Sequence, residues 1–311
     1  MLDESTTSAP TKLGAPIWQT PEVDGRCEAI EWWEARVRGI TLRGTTAHGG
    51  SPRRTGDPSV VALHGGPGVD GAGLRYLFRS FADCDVVVPD QRGHGRSDRA
   101  SPRTWTLDDW ADDVVELLAA LGLHRPVVMG ISFGGWVALR LAARHPDQVG
   151  ALVVAATTAK LPTMDEGVAR MDQLGGPASG AAWRALHEDE QAQASTDASY
   201  DVDRLMSVRE PSPDLAAIRA AQIKTPEVNR HFTPEFQRLD LTEDARTVRC
   251  CSVLAIGDKD PLTTQALVQA TYEALPDPKR LRVIPDAAHD LMVDSPDELL
   301  EEVRWAVSCR T

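Results

Sequence analysis

Gly130-Ile131-Ser132-Phe133-Gly134 sets a serine between two glycines, just after the apolar run Pro126-Val127-Val128-Met129-Gly130 and just before the helix-like stretch Trp136 to Ala143. A serine held in a tight strand-to-helix turn presents its hydroxyl clear of both elements, a position suited to nucleophilic attack on an acyl carbon. A side chain at either glycine would crowd the neighbouring strand or helix. The hydroxyl needs a base to take its proton, and the base needs a group to orient it. His289, in Pro285-Asp286-Ala287-Ala288-His289-Asp290, follows an apolar run on a loop and supplies an imidazole. Gly257-Asp258-Lys259-Asp260-Pro261 offers two carboxylates, Asp258 and Asp260, for the orienting role, and either could instead be a turn residue bonded to backbone. In His64-Gly65-Gly66-Pro67-Gly68 the small residues let a substrate carbonyl approach the chain closely. The N–H of Gly66 and that of Phe133, at a helix N-terminus, then form a candidate oxyanion hole. His64 itself ends a buried strand and is expected to hold its loop by hydrogen bonds.

The remaining histidines, His48, His124, His145, His187 and His231, fall in loops, helix ends or a helical insertion, and show no H-E-x-x-H or similar spacing. No metal and no cofactor is expected. The five cysteines are scattered, with no C-x-x-C pair, which fits free thiols in a reducing cytoplasm. A formal net charge of −13 disfavours a grip on nucleic acid or anionic lipid and leaves a small molecule or short peptide as the expected partner. Met1 to Thr20 has neither a basic n-region nor an apolar h-region, so no secretory signal is read there, and no stretch approaches the length of a membrane span.

The elements that must position these residues follow from periodicity. Residues 1–26, rich in Thr and Pro, read as an extended or disordered arm. Ile30 to Thr46, with Gly39 at its middle, reads as an edge hairpin. Ser59–Leu63, Asp85–Pro89, Pro126–Gly130 and Ala151–Ala155 are near-continuous apolar runs suited to parallel strands covered on both faces. Between them lie a short helix over Leu74 to Asp83, an amphipathic helix capped at Thr106, and the helix after Ser132. From Lys160 to Arg246 helical stretches are interrupted by prolines, including Pro226 and Pro234, and no strand run appears. This reads as an inserted helical cap, residues 160–246, within a core made of 27–159 and 247–311. Alternation then resumes with a strand at Ser252–Ile256, a helix near Thr264 to Leu275, a strand at Arg280–Ile284, and a helix opened by the capping box Ser295-Pro296-Asp297-Glu298. The fold class is α/β, a mostly parallel twisted sheet with helices on both faces.

As a set, HGGPG at 64–68, DQRGHGRSD at 90–98, GISFGG at 130–135, GDKDP at 257–261 and His289 resemble the α/β-hydrolase superfamily, and within it the prolyl iminopeptidase-like branch. The resemblance implies Ser132 as nucleophile, Asp260 as orienter and His289 as general base, in the chain order of that superfamily. It further implies an acyl-enzyme route that releases an N-terminal amino acid from a small amide, with cap carboxylates receiving the substrate ammonium. Glu227 and Glu235, in the segment Pro226 to Glu235, are the candidates for that role. An esterase, thioesterase or lactonase with the same three residues is the alternative, and a ligand-binding protein on the same fold a further one. The loop at 90–98 is expected to buttress the site wall.

Overall fold

The computed structural model describes residues 11–13, 30–49, 56–188, 202–236 and 238–310. Apolar alternation within the central strands explains their arrangement. Val61 and Leu63 of β4 (Ser59–Leu63), Val128 of β6 (Val127–Ile131) and Leu152 and Val154 of β7 (Ala151–Ala155) face one core cluster. Val60, Ala62, Val127, Met129, Ala151 and Val153 face the other. With successive side chains on opposite faces, every residue of these strands is buried, so both faces of the sheet must be covered.

The covering helices supply the two layers. α2 (Leu107–Leu121) and α3 (Phe133–Arg144) pack into the first cluster, together with α9 (Gln265–Ala274). α1 (Ala72–Leu77) and α11 (Pro296–Cys309) pack into the second. The remaining strands are β1 (Thr11–Leu13), β2 (Ile30–Val37), β3 (Ile40–Ala47), β5 (Asp85–Asp90), β8 (Cys251–Gly257) and β9 (Lys279–Ile284). Their order across the sheet is β1-β2-β3-β5-β4-β6-β7-β8-β9. From β5 to β9 the neighbours are parallel, and β1, β2 and β3 add antiparallel strands at one edge. The hairpin turn between β2 and β3 has Arg38 at φ 45° and Gly39 at φ 78°, the left-handed pair that a two-residue turn between twisted strands requires.

Several expectations need correction. Of the arm at 1–26, Thr11–Leu13 forms an edge strand paired with β2, and the rest lies outside the described residues. Pro234 does not interrupt its segment, because α7 (Pro226–Phe236) runs through it. Pro234 sits in the last turn, so its missing N–H removes a single helical bond. The capping box at Ser295 does not form. Ser295 also ends the one-turn helix α10 (Leu291–Asp294), which holds its backbone at ψ 60° rather than in the extended conformation of an N-cap. Thr106 does cap α2, accepting from Asp109 N–H at 3.1 Å.

Between β7 and β8 the chain forms α4 (Met164–Gly175), α5 (Pro177–Glu188), α6 (Pro213–Ala220), α7 and α8 (Thr242–Thr247). Met171, Ala182, Trp183 and Val202 make a small core of their own. Val228 and Phe232 of α7, and Leu241 and Ala245 beside and within α8, belong instead to the main core. Part of the insertion, α7 and α8, is thus packed directly on the sheet's helical layer.

Gly44 of β3 lies opposite Trp33 of β2, and a Cβ there would stand 2.6 Å from Trp33 Cζ2 and 2.6 Å from Val88 O. Gly44→Ala should therefore overpack a fully buried indole and cost about 1–3 kcal/mol. Urea unfolding checks this, and an unchanged midpoint would show that Trp33 yields instead.

Candidate active site

β6 delivers Ser132 and α3 begins immediately after it, so the chain reverses within one residue. Ser132 has φ 53° and ψ −123°, a conformation that L residues avoid. The turn is possible because its neighbours are glycines. A Cβ on Gly130 would lie 2.1 Å from Gly134 O, and one on Gly134 would lie 2.1 Å from Leu63 O. Ser132 N–H donates to Ala155 O at 2.9 Å, and Ser132 O accepts from Gly135 N–H and from the Thr157 hydroxyl, each at 2.8 Å.

The three residues singled out from separate loops meet here. His289 Nε2 lies 2.9 Å from Ser132 Oγ, and His289 Nδ1 lies 3.0 Å from Asp260 Oδ2. The carboxylate can only accept, so Nδ1 carries the proton and Nε2 is left to accept from the serine hydroxyl. Asp260 is fully buried and its Oδ1 accepts from Leu262 N–H at 2.8 Å. Asp258, the competing carboxylate, is exposed and turns to the N–H of Ala287. Burial alone would lower the imidazole pKa of His289, but the charge and hydrogen bond of Asp260, with the charge of Asp290, carry it above the ordinary value.

Phe133 opens α3 and Gly66 lines the same cavity as Ser132. Phe133 is itself fully buried, at the N-terminus of the helix that follows Ser132. His64 is buried and holds the loop as expected: its Nε2 accepts from Gln91 N–H at 3.1 Å, which leaves Nδ1–H to donate to Gly65 O at 2.9 Å. Burial pushes its pKa down, so it stays neutral.

The loop at 90–98 lies under the 64–68 loop. Asp90, fully buried and ion-paired with Arg75, accepts from Gly71 N–H at 3.0 Å and Arg96 N–H at 2.9 Å. Desolvation opposes its ionisation, yet Arg75 and these donors keep its pKa below the usual carboxylate value.

Residues not anticipated from sequence complete the site. A cavity of about 290 Å³ opens at Ser132 and His289. Val69, Leu74, Ile131, Met206 and Met292 give it apolar walls, and Asp70, Arg219, Gln222 and Asp290 polar ones. Arg170 of α4 donates to Asp260 O at 3.0 Å and Asp258 O at 2.7 Å, tying the insertion to the acid loop. Asp294 is buried and accepts from Ala288 N–H at 2.7 Å, the Ser207 hydroxyl at 2.9 Å, and the N–H groups of Val208 and Arg209 at 3.0 Å. It therefore bolts the His289 loop to the insertion segment that carries Met206. Only its position five residues after His289 could have drawn notice.

Glu227 and Glu235 are not brought to the cavity. Glu235 lies exposed on α7, and Glu227, half-buried at its start, meets Arg99 Nε through Oε1 at 3.5 Å. α7 turns its buried face, Val228 and Phe232, toward Trp110 and Phe133, and the acidic residues consequently face outward.

A family model described as alpha/beta hydrolase fold matches residues 58–296. The chain belongs to that family. Over 104 residues it is 38% identical to 2-hydroxymuconate semialdehyde hydrolase of Pseudomonas putida, a match covering 32% of this chain and 36% of the relative, so about a third of that protein's length is spanned. Among solved structures, the proline iminopeptidase of Mycobacterium smegmatis superposes with a TM-score of 0.72 at 20% identity, covering 89% of this chain and 97% of that one. An esterase from Thermogutta terrifontis does so with a TM-score of 0.66 at 21% identity, covering 98% and 100%. At such identities the two structures share the hydrolase fold, and they carry no single branch of it. Among the described residues no helix is long and apolar enough to cross a membrane.

Asp294→Ala should cost roughly 2–4 kcal/mol, since it strands several buried donors. Hydrogen exchange should quicken together at 206–209 and at 287–290. Loss of protection in only one of the two segments would break the proposed link.

Proposed function

We propose that this hydrolase-fold chain is a serine hydrolase that cleaves a small ester, thioester or lactone through an acyl-enzyme. The observation that carries the reading is the continuous hydrogen-bonded chain from Ser132 Oγ through His289 to Asp260, opening on a small, largely apolar cavity. In the proposed first step His289 Nε2 takes the hydroxyl proton as Ser132 Oγ attacks the acyl carbon. The N–H groups of Gly66 and Phe133 receive the oxyanion, with the N-terminus of α3 adding its dipole. The intermediate collapses, the leaving oxygen or sulfur takes the proton from His289, and the acyl group stays on Ser132. Water then attacks the acyl carbon while His289 accepts its proton, and Ser132 leaves with that proton as the acid is released. Asp260 holds the Nδ1–H tautomer and stabilises the imidazolium throughout.

The aminopeptidase reading drawn from HGGPG and DQRG needs a carboxylate for the substrate ammonium. Neither Glu227 nor Glu235, the carboxylates named for that role, lines the cavity, which favours the ester reading over it.

Ser132→Ala should lower kcat/KM for a short-chain aryl ester by at least about a thousandfold with the fold retained, as near-ultraviolet circular dichroism would report. Free-amine alanyl and prolyl anilides should be left uncut, and cleavage confined to those anilides would return the peptidase reading. Because the base must be neutral and its pKa is raised, activity should be lost as pH falls through a midpoint above 6.5. A midpoint below that value in a kcat/KM profile would contradict the role given to His289.

A further inference from the structure

Arg219, in the last turn of α6, lines the cavity onto which Ser132 and His289 open. Its Nη1 meets Asp290 Oδ2 at 2.6 Å, and among the described residues the guanidinium has no other partner. A guanidinium carries five N–H donors in a rigid plane, so one ion pair leaves most of the fork unspent. Asp290 cannot offer the same: its remaining oxygen, Oδ1, is buried without a hydrogen-bond partner, whereas the Arg219 side chain is 29% exposed. The polar hydrogens this pair presents to the cavity are therefore those of Arg219.

The sign of the surroundings narrows what can meet them. Asp290 neutralises the guanidinium, and Asp70, whose oxygens accept from the N–H groups of Ala72 and Ile223, adds a further carboxylate to the wall. A substrate carboxylate would enter beside two acidic side chains, Asp70 and Asp290. An uncharged acceptor oxygen suffers no such repulsion and can take a charge-assisted hydrogen bond from Arg219. The volume of about 290 Å³ admits only a short chain.

Resting on the serine-hydrolase reading above, we infer that Arg219 is a specificity-determining residue and that the cavity takes a short acyl group bearing a second, uncharged carbonyl oxygen. That oxygen accepts from the unpaired edge of the guanidinium while Ser132 attacks the acyl carbon. The apolar walls from Leu74, Met206 and Met292 enclose the carbon chain between the two carbonyls.

Three p-nitrophenyl esters of similar size test this: pentanoyl, 4-oxopentanoyl and hemisuccinyl, each compared by kcat/KM after subtraction of spontaneous hydrolysis. The wild-type chain should prefer 4-oxopentanoyl to pentanoyl by about tenfold, the value of one hydrogen bond to a charged group. In Arg219→Leu that ratio should fall to about one, and Arg219→Lys, which restores a point-charge donor, should recover part of it. Removing Arg219 also leaves Asp290 unpaired beside His289, but this acts on the two neutral esters alike, so their ratio within each variant isolates recognition. A ratio near one in the wild type, a ratio that survives Arg219→Leu, or a preference for the hemisuccinyl ester overturns the inference alone. Absence of hydrolysis of all three by the wild-type chain overturns the serine-hydrolase reading and the inference with it.

Discussion

The backbone at Ser132 is the constraint around which the molecule is arranged. A residue held at φ 53° and ψ −123° costs on the order of 1–3 kcal/mol, so the surroundings must over-determine it. They do so by contact as much as by hydrogen bonding. Gly130, Gly134 and Gly135 bring β4, β6, β7 and α3 so close that a Cβ at any of them would fall within 2.3 Å of a neighbouring atom. The apolar alternation of the central strands serves the same end, since the turn is rigid only if the strand before it and the helix after it are packed on both sides. Function-bearing geometry here is a property of the core, expressed at its edge.

A second constraint follows from that edge. Loops beyond the strands cannot satisfy their N–H groups within the sheet, and several are buried under the insertion. Carboxylates take over. Asp90 gathers the segments around Gly71 and Arg96, Asp294 gathers those around Ala288 and Val208, and Asp260 closes its own loop on Leu262 while facing His289. Arg92 and Asp113 extend the pattern to α2 as a buried ion pair. Part of the acidic excess in this chain is therefore internal scaffolding, each carboxylate accepting from donors that distant segments supply.

This division explains what could be read from the sequence. Gly130 to Gly134, the 64–68 loop and the central strands rest on short motifs whose geometry is local or on apolar runs with one period, whereas the choice of Asp260 over Asp258 rests on the family resemblance. Pro234 and Ser295 misled because their local rules yield to context: one lies in a final turn, the other is shared by two helices. Arg219, Asp290, Asp294 and Arg170 were not legible, since each gains its role from a partner brought up by tertiary packing. Glu227 and Glu235 were misplaced for the same reason, because the aromatic contacts of Phe232 set which face of α7 turns inward.

The distinction between ester and amide substrates accordingly cannot reside in Ser132, His289 and Asp260. An imidazolium can protonate an alcohol, a thiol or an amine, so the same three residues serve either leaving group. What differs is the wall, and the wall is built partly by the insertion, where helices carry few motifs. An N-terminal amino acid enters with a cation that must lose water, and neither Glu227 nor Glu235 stands at the cavity to receive it. A neutral acyl chain asks only for apolar surface and, where it carries a second oxygen, for one donor. The placement of a single ion pair, Arg219 with Asp290 next to the base, thereby couples recognition to chemistry. Arg219 pairs with the carboxylate whose charge helps raise the pKa of His289, and both members of that pair line the cavity.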